Sequence, residues 1–253
     1  MSNPPDHAES ANPSLSATGH IDPVFSTQRI AYADKGLDLV DLPPTPLEMF
    51  RRWYDEALAA AVLEPNAMTL ATVDEACAPT ARTVLLKHVD ADGFVFFTNR
   101  RSRKGRELAA HPVAAIVLAW LPMHRQVSVH GRVEQTSAEA TAEYFGTRPW
   151  DSRIGAWASH QSEPVGSRAE IEQRWAELGA RWPDRGRPDD VPVPPHWGGY
   201  LVRPVEVEFW QGRPSRLHDR LVFVPVQDLT PTGPQDPPRL DEPQGWRVER
   251  REP

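Results

Sequence analysis

The chain has 253 residues, of which 40% are hydrophobic and 25% charged, and it carries a formal net charge of -7 at pH 7. This composition fits a soluble globular protein, and the acidic balance gives a nucleic-acid role no global electrostatic support. No apolar run approaches the roughly 20 residues of a membrane span. The opening MSNPPDHAESANPSLSATGHIDP lacks the order of a signal peptide, and the single cysteine, Cys77, permits no intrachain disulfide, so the expected compartment is the cytoplasm.

Residues 1–25 are rich in Pro, Ser, Asn and Ala and offer little to bury, which predicts a disordered tail ahead of one domain over 26–253. A helix is predicted from Thr45, with Thr45 as N-cap, Pro46 in the first turn and Glu48 closing a capping box. Leu47, Phe50, Tyr54, Leu58 and Ala61 then recur at helical spacing until Pro65. From Met68 the period changes to two. MTLATV, TARTVLLKHV, FVFFT, VAAIVLAWL and QVSVHGRVEQT read as strands, and their short links favour antiparallel neighbours. Ser102 caps a short helix between the third and fourth of these. TSAEATAEYFGTR predicts another helix, with Thr136 and Glu139 as a capping box, and a longer one follows over 167–182. GGYLVRPVEVEFW is a further strand, and RLVFVP and GWRVER pair as a last hairpin. Between them, 226–244 has the composition of a flexible insertion. The pattern is mainly β with peripheral helices and predicts a small closed barrel, since closure removes exposed strand edges.

The acidic average hides four basic clusters. RTVLLKH places Arg82 and Lys87 an odd number of residues apart, on opposite faces of a regular strand unless a bulge aligns them. TNRRSRKGRE combines Thr98, Ser102, Arg103 and Lys104 with a helix start, a good phosphate seat that on its own reads equally as a solvated loop. In YFGTRPWDSRIGAW, Tyr144 and Arg148 share a helix face and Ser152 follows, which suggests a second phosphate clamp. In EFWQGRPSRLHDR, Arg216, His218, Asp219 and Arg220 stand between two strands. Two phosphate sites would explain the four clusters. There is no GxGxxG or GxxxxGK loop for a nucleotide, and the nine histidines show no metal spacing.

In this order the segments GLDLVDLPPTPLEMFRRW, RTVLLKH, FTNRRSRKG, RQVSVHGRVE, YFGTRPWDSRIGAWASHQS, PPHWGGY, EFWQGRPSRLHDR and WRVERREP resemble the pyridoxine (pyridoxamine) 5'-phosphate oxidase family. The resemblance covers nearly everything except the tail and the insertion. It implies an FMN-binding split β-barrel, working as a homodimer with FMN (flavin mononucleotide) at the subunit interface. The implied reaction oxidises pyridoxine 5'-phosphate or pyridoxamine 5'-phosphate to pyridoxal 5'-phosphate, with O2 as acceptor and release of H2O2, and of ammonia from the amine. It also implies residue roles. Arg82, Thr83, Val84, Leu85, Leu86 and Lys87 would line the flavin. Thr98, Arg103, Lys104 and Ser162 would hold its phosphate and ribityl chain, and Phe97, Gln126, Gln161, Trp210 and Arg220 would contact it elsewhere. Lys87, Tyr144, Arg148 and Ser152 would clamp the substrate phosphate. Arg216 and His218 would stand beside the substrate ring as the catalytic pair, with Asp219 orienting or neutralising its neighbours. Arg29 and Tyr32 would close over the substrate. Two departures stand out: Ile30 follows Arg29 where many members carry a second basic residue, and Arg251 replaces a usual Leu. The alternatives are another flavin or deazaflavin split-barrel enzyme and a non-catalytic carrier. The intact YFGTRPWDS and RLHDR segments argue against the first, and Arg216 with His218 against the second.

Overall fold

The computed structural model describes residues 32, 36–233 and 235–253. Arg29 and the predicted tail lie outside the described residues. Helix α1 (Pro46–Ala59) starts as expected, with Thr45 Oγ1 accepting from the Glu48 N–H at 3.2 Å. Its buried stripe is Leu47, Met49, Phe50, Trp53 and Ala57. Leu58, predicted to share that stripe, is 54% exposed instead, and Ala61 lies past the helix end with φ 52°. Trp53 meets Phe209 edge-on at 5.3 Å and joins α1 to the barrel core.

Among the described residues nine antiparallel strands follow: β1 (Ala67–Val73), β2 (Pro79–Leu85), β3 (His88–Val89), β4 (Phe94–Asn99), β5 (Val113–Trp120), β6 (Arg125–Gln135), β7 (Trp197–Gln211), β8 (Asp219–Pro225) and β9 (Trp246–Arg251). The strand order is β2-β1-β5-β6-β7-β4-β3, with β8 added to β7 and β9 to β8. The predicted single strand over 80–89 is broken at Leu86–Lys87. The Leu86 N–H bonds the Asn66 carbonyl and the Lys87 N–H bonds that of Val95, so one bent chain segment serves both ends of the sheet order. This bend rolls the sheet toward closure and makes a split barrel. Period-two alternation sends Met68, Leu70, Ile116, Leu118, Val127, Val129, Val207 and Phe209 into the core. The last hairpin, β8–β9, pairs as predicted.

Three short elements flank the site. Helix α2 (Arg103–Ala110) begins behind Ser102, whose Oγ accepts from the Gly105 N–H. A side chain at Gly105 would meet the Arg100 carbonyl oxygen at 2.2 Å, so only glycine lets α2 start this close to the preceding loop. Helix α3 (Ala138–Thr147) is capped by Ser137 rather than Thr136, because the Thr136 hydroxyl pairs with that of Thr141. Helix α4 (Trp150–Ala158) was not predicted; it follows directly on α3, and its first residue is preceded by Pro149, which offers no side-chain cap. Helix α5 (Arg168–Arg181) matches expectation. Phe145, Ile154, Val191 and Trp197 form a second small core under α3 to α5.

The 226–244 stretch, expected to be flexible throughout, is tied down in its second half. Leu240 is 1% exposed, its N–H bonds the Ala91 carbonyl, its carbonyl accepts from the Leu47 N–H, and Arg239 pairs with Asp92 at 2.9 Å. One buried leucine and these backbone bonds outweigh a polar, Pro-rich composition. Among the described residues no helix is long and apolar enough to cross a membrane.

Candidate active site

The site assembles in two groups. The first surrounds a cavity of 570 Å³ between β2, β4, α2 and the α3–α4 junction. Thr83 and Leu85 face it by strand parity, and Val84 and Lys87 complete that wall. Leu86 turns into the core at 7% exposure, so its side chain does not line the cavity. Arg82 likewise points away: its guanidinium donates to the Leu70 carbonyl, Thr72, Thr80 and Glu107. Arg82 and Lys87 thus face different surroundings, but because the strand breaks between them and not through regular strand parity, and neither Arg82 nor Leu86 lines this cavity with its side chain.

At one end of the cavity Lys104 reaches in from the first turn of α2. Its Nζ lies 3.3 Å from both Thr98 Oγ1 and Gln161 Oε1, and Thr98 donates to Gln161 at 3.1 Å. Burial, reinforced by the Arg82 charge and opposed by Glu107, lowers the Lys104 pKa to about 8. Ser162 Oγ accepts from the Arg103 N–H at 3.1 Å, and Ser162 itself holds φ 73°, a strained position of the kind that clusters at functional sites. A buried ammonium, hydroxyls and a helix start together form an anion seat. The Arg103 side chain is turned outward onto Glu107.

At the other end Phe97, Tyr144 and Trp197 stack, with Phe97–Tyr144 at 4.1 Å and Phe97–Trp197 at 5.3 Å. Arg148 lies over Trp197 at 4.9 Å, and its buried Nη1 has no hydrogen-bond partner. Burial pulls the Arg148 pKa below the ordinary arginine value. Ser152, in the first turn of α4, faces the same space. An unsatisfied guanidinium N–H is costly unless an anion meets it. Tyr144, Arg148, Ser152 and Lys87 thus converge on a second anion position in the same cavity.

The second group sits at the far end of β7. Cross-strand register sets Gln126, Trp210 and Arg220 side by side on β6, β7 and β8. The His218 ring is 4.7 Å from Trp210, and Tyr32 stands edge-on to His124, His218 and Trp210 at 4.4, 5.6 and 6.2 Å. Gly212 leaves room for this box, since a side chain there would come within 3.2 Å of His124, Trp210 and Tyr32. His218 Nδ1 accepts from the Arg213 N–H at 3.1 Å. The neutral ring therefore carries its proton on Nε2 and presents a donor outward. Burial and the Arg216 charge, against Asp219, lower the His218 pKa and keep it neutral. Ser215 and Arg216 both adopt left-handed backbone, φ 58° and 63°, which aims an exposed Arg216 outward. Asp219 serves other neighbours than expected: it pairs with Arg250 at 2.8 Å and Arg213 at 3.6 Å and accepts from the Leu37 N–H. Arg220 is held by Glu208, with Nη2 to Oε2 at 2.6 Å.

The two groups do not meet within one chain. Gly198, beside Thr98, and Trp210, beside Arg220, are separated by twelve residues of β7, or about 40 Å along a strand. No residue of the second group lines the 570 Å³ cavity. Two residues that sequence reading did not single out, Glu107 and Glu208, hold these groups, and His124, which sequence reading weighed only as a metal ligand, packs against Tyr32. Glu208 lies inside the quoted EFWQG segment, whereas Glu107, apart from its i,i+4 pairing with Arg103, meets its partners Thr72, Thr80 and Arg82 only through the fold.

Comparison with known proteins identifies the family. A family described as pyridoxamine 5'-phosphate oxidase matches residues 54–181, and a pyridoxine 5'-phosphate oxidase C-terminal dimerisation region matches 197–253. The chain is 54% identical over 226 residues to a pyridoxine/pyridoxamine 5'-phosphate oxidase of Kineococcus radiotolerans, covering 89% of this chain and 97% of the relative. It is 52% identical over 225 residues to one from Burkholderia multivorans, again covering 89% and 97%. Among solved structures it is similar to PhzG from Burkholderia lata in complex with tetrahydrophenazine-1-carboxylic acid, with TM-score 0.74 and 28% identity over 87% of this chain and 99% of that one. An FMN-binding protein of Nostoc punctiforme shares the fold, with TM-score 0.60 and 18% identity over 81% of this chain and 97% of that one.

Proposed function

The chain belongs to the pyridoxamine 5'-phosphate oxidase family, and from that premise we propose that it oxidises pyridoxine 5'-phosphate or pyridoxamine 5'-phosphate to pyridoxal 5'-phosphate, with O2 as acceptor and H2O2 released. The cofactor is FMN, and the residues present fit it. Lys104 offers a cation, Thr98 and Ser162 hydroxyls and Gln161 an amide to its phosphate, and the Thr83–Leu85 wall offers a partly apolar flank. When bound, FMN supplies the two-electron acceptor for the substrate carbon that becomes the aldehyde.

The observation that carries the reading is the pair of anion seats in one cavity. One is built on Lys104, and the other on Arg148 with its unsatisfied buried Nη1. A flavin phosphate and a substrate phosphate account for both. Tyr144 and Ser152 would orient the substrate phosphate around Arg148, and Lys87 would add charge at the mouth. His218, protonated on Nε2 and neutral, would donate a hydrogen bond to the substrate ring and would not accept a proton from it. Arg216 would add charge beside it. Closure of Tyr32 over this face would exclude water.

The second group completes the first only across a two-fold interface. Trp210, Arg216, His218 and Arg220 all fall inside the matched dimerisation region, so each site would draw these residues from the partner chain.

The test is anaerobic mixing of FMN-loaded protein with pyridoxine 5'-phosphate. Loss of oxidised-flavin absorbance, then its recovery with pyridoxal 5'-phosphate on admitting air, is the expected result. A flavin that stays oxidised with both phosphorylated vitamers would overturn the substrate assignment and leave FMN binding intact.

A further inference from the structure

The reaction sketched above gives no part to Arg250 or to the carboxylate of Asp219, although the two stand beside the second group of the site. Along β8 and β9 every second residue faces the core: Leu221 and Phe223 are buried, and Val248 packs with them. Asp219 and Arg250 are the last positions of that face at the His218 end, and they pair there, Arg250 Nη1 to Asp219 Oδ1 at 2.8 Å. Both side chains also reach a distant part of the chain. Asp219 Oδ2 accepts from the Leu37 N–H at 3.0 Å. Arg250 Nη2 donates to the Leu37 carbonyl at 3.3 Å and to Asp38 Oδ1 at 3.0 Å. The pair thus holds both backbone polar groups of Leu37. Upstream of this point, Tyr32 lies edge-on to His218 at 5.6 Å and to Trp210 at 6.2 Å. The chain is therefore fixed beside Asp219 and touches the neighbouring His218 again through Tyr32.

We propose that Asp219 and Arg250 are positioning residues for Tyr32: by latching the backbone at Leu37 they hold the tyrosine over the face made by His218 and Trp210. This rests on the reading of Tyr32 as a residue that closes over the substrate. Tether length sets the size of the effect. With Leu37 latched, Tyr32 hangs on a tether of about 5 residues. None of residues 38–44 is buried, so full release would move the next buried anchor to Thr45. The tether would then be about 13 residues, and the local concentration of Tyr32 at this face, which falls roughly as the 3/2 power of length, would drop about fourfold. Arginine suits this place because its two terminal nitrogens serve Asp219 on one side and Leu37 and Asp38 on the other, whereas a lysine ammonium is a single point charge.

The experiment is a double-mutant cycle on kcat/KM for pyridoxine 5'-phosphate, measured on the FMN-saturated enzyme. The Arg250 side chain is 41% exposed, so Arg250→Met should fold. It is expected to lower kcat/KM about fourfold, the tether effect. Tyr32→Ala should lower it at least as far. The double variant should be no slower than Tyr32→Ala alone, because a latch with no tyrosine to hold has nothing to contribute. Arg250→Lys keeps the charge but cannot span the gap and should behave like Arg250→Met; Arg250→Gln carries the cycle if the methionine variant fails to fold. Losses that add in the double variant would show a merely structural ion pair and overturn the proposal, as would unchanged kcat/KM in Arg250→Met or full activity in Arg250→Lys. Tyr32→Ala separates the two layers. Wild-type kcat/KM in that variant would refute the closure by Tyr32 and the proposal with it, whereas a slow Tyr32→Ala with additive losses would refute the proposal alone.

Discussion

Replacing Arg148 by methionine isolates what its guanidinium contributes, because the methionine chain can still lie over Trp197 and Phe145, which the arginine now covers at 4.9 and 5.5 Å. In the free protein Nη1 is buried without a partner, so its full hydrogen-bonding capacity is realised only with an anion present. A hydrogen bond to a charged group is worth about 1.5–3 kcal/mol, which converts to a rise in KM for pyridoxine 5'-phosphate of about 10- to 150-fold. The phosphate is remote from the reacting carbon, so the loss falls on ground state and transition state alike, and kcat should hold. Unphosphorylated pyridoxine supplies the internal control: its kcat/KM should be nearly the same in variant and wild type. FMN affinity, read by flavin fluorescence, should change little. Loss of flavin with unchanged KM for the phosphorylated substrate would refute the reasoning and exchange the two anion seats.

Other outcomes follow from the same geometry. Assayed at pyridoxine 5'-phosphate well below the wild-type KM, where the raised KM of Arg148→Met cuts its rate about 10- to 150-fold, Arg148→Met and Arg216→Ala should each be slow, yet mixing them under subunit exchange should restore about a quarter of wild-type activity, because half the dimers are mixed and one of their two sites is intact; no recovery would contradict the shared site. Lys104, with its pKa lowered to about 8 by burial, loses its proton above that pH, while a bound phosphate favours the protonated form. FMN affinity should therefore weaken as pH rises through 8 and riboflavin affinity should not, which paired titrations at pH 7 and 9 would show. Glu107 has a depressed folded pKa, so its stabilisation is present above the ordinary glutamate value and is lost as pH falls toward 2. Acid unfolding of Glu107→Gln should accordingly be flatter across that window. Trp53→Ala removes a fully buried ring packed on Trp120 and Phe209 and should cost about 3–5 kcal/mol by denaturant unfolding.

Where residue chemistry and chain spacing speak locally, the sequence was readable. Period-two alternation located the strands, Thr45 and Ser102 marked helix starts, and the mixed-chemistry segments around Arg148 and His218 picked out both groups of the site. What it missed depends on the fold. Helix α4 escaped notice because Pro149 provides no capping oxygen. Thr136 looked like a cap until Thr141 took its hydroxyl. Arg82 reads as a free cation on a strand, and only the arrival of Glu107 from α2 shows that its charge is already matched. The Pro-rich stretch after β8 reads as flexible until Leu240 is seen between α1 and the β3–β4 turn. Nor could any local pattern reveal that the groups on β7 stand at opposite ends of one strand.

The position of β2 has a consequence for the newly made chain. Among the described residues β2, from Pro79 to Leu85, pairs only with β1, which leaves its other side as an open row of peptide groups. An unpaired strand edge is a template on which other chains can add. The proposed cofactor seat lies along this stretch, so an occupied site would shield it. Bound flavin is therefore expected to slow edge-to-edge association of the chain. Light scattering of the apoprotein at 37 °C, with and without FMN, would show this as slower aggregation when the flavin is present; equal rates would mean that the edge is protected in another way.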